Sequence, residues 1–360
     1  MTADTARRQR VRRWGWLVAL GAAALVGGLV AGLIVYWGSD SGSTSHDAVC
    51  ASTTVAENVL PTIVTVNANA GANSGSGSGE VIRSDGYILT NDHVISAAAN
   101  GGTTEVVLTD GESARASIVG RDPATDLAVL KASGLRSPSV ISFGSSEALN
   151  VGQPVVALGA PLGLSSSVTT GIVSALGRNV QLPGQSGQSA LLVDAIQTDA
   201  AINPGNSGGA LVDCAGKLIG IPTAGAVVPS PSGQPSAGNI GIGFAIPVKL
   251  AKLVSDELIA TGMVSHAELG LQVSPTTPAR ARQAGANAGL FVNQVRPGGP
   301  ASSAGLQPGD VITKIEGEPA RSTDQLIALT LTKRAGDTVR LTYQRQGQSR
   351  DTTVTLGSQP

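Results

Sequence analysis

Between residues 62 and 246 the chain returns repeatedly to short runs dominated by Val, Ile, Leu and Ala, each closed by Gly, Pro, Asp or Asn. The runs are TIVTVNA (62–68), GEVIRS (79–84), YILT (87–90), EVVLTD (105–110), ASIVGR (116–121), LAVLKA (127–132), QPVVALGA (153–160), VTTGIVSAL (168–176), AIQTDA (195–200), GALVD (209–213), KLIGI (217–221) and IGIGFAI (240–246). About a dozen strands at this spacing, with no long helix between them, restrict the region to an all-β barrel or sandwich. With only three each of Trp, Tyr and Phe in 360 residues, the core must be built from small aliphatic side chains. A helix is expected at 247–262, with Pro247 suited to its first position and Gly262 to its end. Beyond it, residues 265–356 form a second unit with strands near 290–295, 311–315 and 337–344. That unit has a helix opening at Ser322, where Ser322 and Gln325 make a capping box and Lys333 and Arg334 sit at the negative end.

The N-terminal part has a different character. Arginines stand at 7, 8, 10, 12 and 13, a basic tail over 1–15, and residues 16–37 then carry no charge. That length matches the roughly 20 residues needed to cross a bilayer. Tryptophan and Tyr36 mark its ends, and the positive-inside rule leaves the tail in the cytoplasm and everything after Gly38 outside. A cleaved signal peptide is the rival reading, but its apolar region would be 7–15 residues and end in a small-residue cleavage site. Residues 38–54, with His46, read as a flexible tether. Beyond the tail acidic residues outnumber basic ones, which excludes a basic nucleic-acid-binding face. Cys50 and Cys214 lie on the outer side, where disulfides persist. A bridge and two free thiols are both compatible with the sequence. His46, His93 and His266 are isolated from the cysteines and from one another, so no zinc framework is expected. Loops rich in Ser, Pro and Gly at 181–189 and 225–239 are of the kind that gate sites.

Chemistry concentrates in NPGNSGGAL (203–211), where Ser207 stands among glycines. A serine hydroxyl needs a base within reach and a third group to orient that base. His93 is the one histidine within the β-rich region. Of three carboxylates near it, Asp92 would point away in an extended backbone and Asp122, before Pro123, reads as a turn residue. Asp126 enters a wholly apolar strand, where a buried carboxylate needs a partner, and is the choice. Gly205 and Ser207 can supply two backbone N–H donors for an oxyanion if Gly205 adopts a conformation that a side chain would hinder. A plain glycine-rich turn around Ser207 and a satisfied surface role for His93 are the simpler readings of each motif taken alone.

Taken together, TNDHV, DLAVLK (126–131), GAPLGL (159–164), QTDAAINPGNSGGALV (197–212) and GIGFAIP (241–247), in this order, resemble the trypsin-like serine proteases of the HtrA/Deg family over residues 55–262. The resemblance implies two six-stranded β-barrels with His93, Asp126 and Ser207 between them. It also implies an S1 pocket floored by Ala201 beside Ile202, suited to small or medium aliphatic residues. Pro222 departs from the family, which carries asparagine there. ELGLQV (268–273), VRPGGPASSAGLQPGDVITKIEGEPA (295–320) and the capped helix resemble a PDZ domain over 265–356. A peptide C-terminus would pair with the strand at Leu271, its carboxylate on the N–H groups of Leu269, Gly270 and Leu271, with Leu326 and Leu329 lining the side-chain pocket.

The expected protein is a single-pass, membrane-anchored bacterial serine endopeptidase, mainly β, acting outside the membrane on unfolded or mislocalised proteins. No metal or organic cofactor is required, and a homo-oligomer, a trimer by family analogy, is expected. A catalytically silent peptide-binding chaperone or adaptor is the alternative, against which an intact triad argues.

Overall fold

Each apolar run between residues 62 and 246 becomes a strand, and the strands close on themselves. In the computed structural model β1 (Ile63–Ala70), β2 (Asn73–Arg83), β3 (Tyr87–Thr90), β4 (Thr103–Leu108), β5 (Ser113–Asp122) and β6 (Leu127–Ala132) form a closed barrel in the order β1-β2-β3-β6-β5-β4. A second closed barrel, β10-β11-β12-β9-β8-β7, is built from β7 (Pro154–Gly159), β8 (Ser167–Leu182), β9 (Ala190–Thr198), β10 (Ala210–Val212), β11 (Leu218–Gly225) and β12 (Gly243–Pro247). Closure removes the exposed edges that isolated antiparallel sheets present.

The structure describes residues 50–71, 73–160, 167–182, 190–225, 241–285 and 288–358. The basic tail, the apolar span 16–37, His46, most of the tether, residues 161–164 of GAPLGL and the loop segments 183–189 and 226–240 lie outside them. Among the described residues no helix is long and apolar enough to cross a membrane.

Aliphatic residues fill three layers. Val64, Val66, Ile88 and Leu130 pack inside the first barrel, and Val155, Ile196, Leu211 and Ile219 inside the second. Ile63, Leu89, Leu127, Leu158, Val212 and Ile221 belong to a layer shared by the two barrels, which also receives helix α1 (Ser52–Val59). Phe143 and Phe244 only flank that layer. Cys50 and Cys214 are bridged, which ties the start of α1 to the turn after β10.

A one-turn helix α2 (Asp92–Ile95) follows β3, so His93 sits inside a helical turn. Helix α3 (Val248–Thr261) follows Pro247 and ends on Gly262 in the left-handed region, as its sequence signals require. Its buried face, Leu250, Ala251, Val254 and Leu258, closes the shared layer.

The C-terminal region has its own core, with Leu290, Val292, Ile312, Val339 and Leu341 among its members. Its main sheet runs β14-β15-β16-β18-β19, with β14 (Leu271–Pro275), β15 (Leu290–Val295), β16 (Val311–Ile315), β18 (Thr338–Arg345) and β19 (Gln348–Thr355); β17 (Glu318–Pro319) pairs with β16. β13 (Ala267–Glu268) pairs separately with β20 (Gly357–Ser358). Three helices complete it: α4 (Pro278–Ala284), α5 (Pro300–Ser303) and α6 (Asp324–Thr332). Half of the expected capping box forms at α6. Gln325 Oε1 accepts from Ser322 N (3.1 Å), while Ser322 Oγ accepts from Asp324 N (3.1 Å) instead of Gln325 N. Arg334 pairs with Glu257 of α3 (2.8 Å), so this cation braces the two regions together.

Candidate active site

Local sequence explains how His93 and Asp126 meet. Asp126 has φ +57, a left-handed conformation rare outside glycine, just before β6 begins. Two donors hold the residue there, since its carbonyl accepts from Asn91 Nδ2 (2.8 Å) and Asp92 N (3.2 Å). The carboxylate turns onto His93: Nδ1 lies 3.0 Å from Oδ1 and 2.9 Å from Oδ2, and the His93 backbone N–H donates to Oδ1 (3.0 Å). A carboxylate only accepts, so Nδ1 carries the proton and Nε2 is left with its lone pair. Asp126 is 4% exposed, and Thr223 Oγ1 also donates to its Oδ2.

Burial opposes the charged imidazolium. The hydrogen bond to Asp126, the charge of Asp126 and the charge of Asp92 outweigh it, and the His93 pKa lies above its ordinary value. Asp92 turns to Arg121, whose Nε and Nη2 donate to its two oxygens at 2.7 and 3.0 Å. Asp122 is more than a turn residue: it ends β5, is buried, and accepts from Thr125 Oγ1 and from His266 Nε2 (2.8 Å).

Ser207 comes from the second barrel. Asn206 N donates to Asn203 O (3.0 Å) across Pro204 and Gly205, and Gly205 has φ +97, a Pro-Gly turn that a side chain at 205 would strain. Gly208 follows at φ +79, its N–H donating to Pro222 O (2.9 Å). A Cβ at 208 would overlap Ser78 O and Thr90 Oγ1, so glycine is required twice over. The N–H groups of Gly205 and Ser207 find no acceptor among the described residues. Ser207 Oγ donates to Thr223 O (3.3 Å) and makes no hydrogen bond to His93. Thr223 thus touches both Asp126 and Ser207. Sequence reading missed this residue, because its part depends on a contact spanning 97 positions.

The remaining candidates separate. Ala201 is part-exposed, and its carbonyl accepts from Thr169 Oγ1 (3.0 Å) and Asn206 Nδ2 (3.3 Å). Ile202 is 4% exposed and packs inside the second barrel with Val155 and Ile196. In the C-terminal region a groove of about 520 Å³ lies between the edge strand β14 and α6. Leu269, Gly270, Leu271 and Leu326 line it, together with Thr323, Ile327 and Thr330. Leu329 does not; it packs against the domain core. The helical period selects 323, 326, 327 and 330, whereas choosing leucines by hydrophobicity selected 329. At the groove's end, Leu269 O accepts from Ala301 N (2.9 Å) and Gly270 O from Arg296 N (2.8 Å), and Arg296 also pairs with Glu268. Among the described residues no cluster could hold a metal ion.

Two closed six-stranded barrels with a histidine–carboxylate pair on one and a glycine-flanked serine on the other have the architecture of a trypsin-like peptidase. The family model for a trypsin-like peptidase domain matches residues 77–221, and that for a PDZ domain matches 267–356. Serine protease PepD of Mycobacterium tuberculosis is 43% identical over 310 residues, covering 84% of this chain and 65% of that protein. Periplasmic serine endoprotease DegP of Salmonella typhimurium is 41% identical over 266 residues, covering 73% of this chain and 53% of that protein. The solved HtrA-type protease AlgW with decapeptide superposes with a TM-score of 0.67 at 36% identity, covering 86% of this chain and 99% of that one. The chain belongs to the HtrA-type serine protease family, and it spans between about half and two thirds of the length of the two relatives named first.

Proposed function

We propose that the protein is a serine endopeptidase acting outside the cytoplasmic membrane on unfolded or mislocalised proteins, anchored by residues 16–37 and carrying a PDZ domain that binds peptide C-termini. The observation that carries the reading is the His93 Nδ1–Asp126 pair beside a Ser207 turn whose Gly205 and Ser207 N–H groups have no acceptor among the described residues. In this mechanism Ser207 Oγ turns from Thr223 O towards His93 Nε2, gives up its proton there and bonds to the scissile carbonyl carbon. The carbonyl oxygen takes the negative charge and is met by Gly205 N–H and Ser207 N–H. His93 then protonates the leaving amine as the acyl–enzyme forms, and water repeats the sequence to release the second product. Asp126 holds the tautomer and stabilises the imidazolium.

The Cys50–Cys214 bridge and the periplasmic relative support an extracytoplasmic location. The peptide carried by the solved AlgW structure supports peptide capture in the groove between β14 and α6. An uncharged Ala201 supports cleavage after Val, Ala or Leu, and assembly as a trimer follows by family analogy. The adaptor reading draws on one observation, that Ser207 Oγ rests on Thr223 O. Turnover of unfolded protein and of matched peptides differing only at the residue before the scissile bond tests the proposal. Val is expected to exceed Arg by ~10–200-fold in kcat/KM, with all turnover lost in Ser207→Ala. Arg cleaved as fast as Val overturns the pocket assignment, and turnover surviving Ser207→Ala overturns the mechanism.

A further inference from the structure

The turn that carries Ser207 is held by a residue of the other barrel. Ser78, on β2 and 0% exposed, has every polar group hydrogen-bonded, and two of its bonds reach this turn. Its Oγ donates to Gly205 O (2.6 Å) and accepts from Ala160 N (2.7 Å). The Ser78 N–H donates to Ser207 O (2.8 Å), and its own carbonyl accepts from Thr90 Oγ1 (2.6 Å).

Peptide planes make these contacts consequential. Gly205 C=O shares a rigid plane with Asn206 N–H, which donates to Asn203 O; Ser207 C=O shares one with Gly208 N–H, which donates to Pro222 O. Both planes are therefore pinned at both edges, and in each case one of the pins is Ser78. Between them lies the plane bearing Ser207 N–H, and directly before them the one bearing Gly205 N–H. Neither of these N–H groups has an acceptor among the described residues, although the plane bearing Ser207 N–H is also held through Asn206 O, which accepts from Gly209 N (3.0 Å). The aim of Gly205 N–H is inherited from the plane that follows it, and that of Ser207 N–H from the two flanking planes together with the Gly209 bond. The glycines fit the same picture: a Cβ at 208 would overlap Ser78 O, and one at 159 would come within 3.0 Å of Ser78 Oγ.

We propose that Ser78 is the positioning residue of the oxyanion site, its hydroxyl and amide orienting the Gly205 and Ser207 N–H groups across the barrel interface. This rests on the reading of Ser207 as nucleophile. Ser78 touches no reacting atom, so its effect belongs to the transition state and not to substrate capture.

The test compares wild type, Ser78→Ala and Ser78→Cys, with kcat and KM measured on one peptide substrate. Inhibition by a peptide aldehyde is measured alongside, because its adduct with the serine places an oxygen where the oxyanion would sit. Loss of a whole oxyanion donor typically costs about 10²–10³-fold, so misaiming by Ser78→Ala is expected to lower kcat by ~10–100-fold. KM should stay within about threefold, and aldehyde affinity should fall in step with kcat. Ser78→Cys keeps a donor and acceptor, weaker and on a larger atom, is expected to fall between the two, and carries the test alone if Ser78→Ala does not fold. Unchanged kcat in the variants overturns the proposal, as does a loss confined to KM or to melting temperature. A wild type that neither turns over substrate nor forms the aldehyde adduct refutes the nucleophile reading instead.

Discussion

His93 is governed by its partner more than by its surroundings. Over a third of the side chain is open to solvent, yet Asp126 and, at longer range, Asp92 hold its pKa above the ordinary value of about 6.5. A general base must be neutral, so kcat/KM is expected to rise with pH as the proton leaves, with its midpoint above that value. Asp92→Asn removes one of the negative charges and should move the midpoint down. A profile flat from pH ~5 to ~9, or an upward shift in Asp92→Asn, would contradict the assignment. Stability runs the other way, because a histidine with a raised folded-state pKa contributes fully below its unfolded-state value and loses that contribution as pH rises through the folded one. At this scale the sequence singles out residues wherever chemistry forces a residue type: one histidine, one carboxylate entering an apolar strand, one serine among glycines. It was silent on Thr223 and Ser78, ordinary hydroxyl residues whose parts come from contacts 97 and 127 positions away.

At the scale of elements, β2 shows both what periodicity reveals and where it stops. The apolar run places the start of this strand at Gly79, but it starts at Asn73, since the polar NSGSGS stretch carries no apolar alternation and is ordered by pairing with β1 from Ala70 back to Thr65. Similarly, β8 extends to Leu182, beyond its apolar run. On β2, Glu80 stands opposite Ile63 and Leu89, both in the layer between the barrels, so its side chain shares their face. It is 0% exposed, and among the described residues no other residue's hydrogen bond reaches either carboxyl oxygen. Burial raises its pKa well above the ordinary value, offset only in part by its own backbone amide. An acid shifted upward stays protonated in the folded state after the unfolded chain has lost its proton. Stability must therefore fall as pH rises from about 4.3 towards the folded-state pKa. Glu80→Met should abolish that slope and stabilise the protein by ~1–3 kcal/mol at pH ~8, read from urea midpoints across pH. Parallel pH dependence in both proteins would contradict it.

At the scale of the whole molecule, neither barrel holds the site alone. His93 and Asp126 belong to the first, Ser207 and Thr223 to the second, and the shared aliphatic layer, α1, α3 and the Cys50–Cys214 bridge keep the two together. An all-β barrel or sandwich was legible in the succession of short runs, and two barrels only through the family resemblance, whereas the way the second region sits against the first was not legible. His266 on Asp122, Arg334 on Glu257 and Leu331 against Leu191 and Val193 pair residues with no local signal. One imidazole, one carboxylate and one hydroxyl meeting across this interface are proposed to make Ser207 reactive. Fluorophosphonate labelling located by peptide mapping is the sharpest test. Modification is expected at Ser207 in the wild type, none in Ser207→Ala, and a rate lower by ~10⁴-fold or more in His93→Ala and Asp126→Asn. Labelling at Ser207 that proceeds at the wild-type rate without His93, or an unreactive Ser207 in the folded wild type, would contradict it.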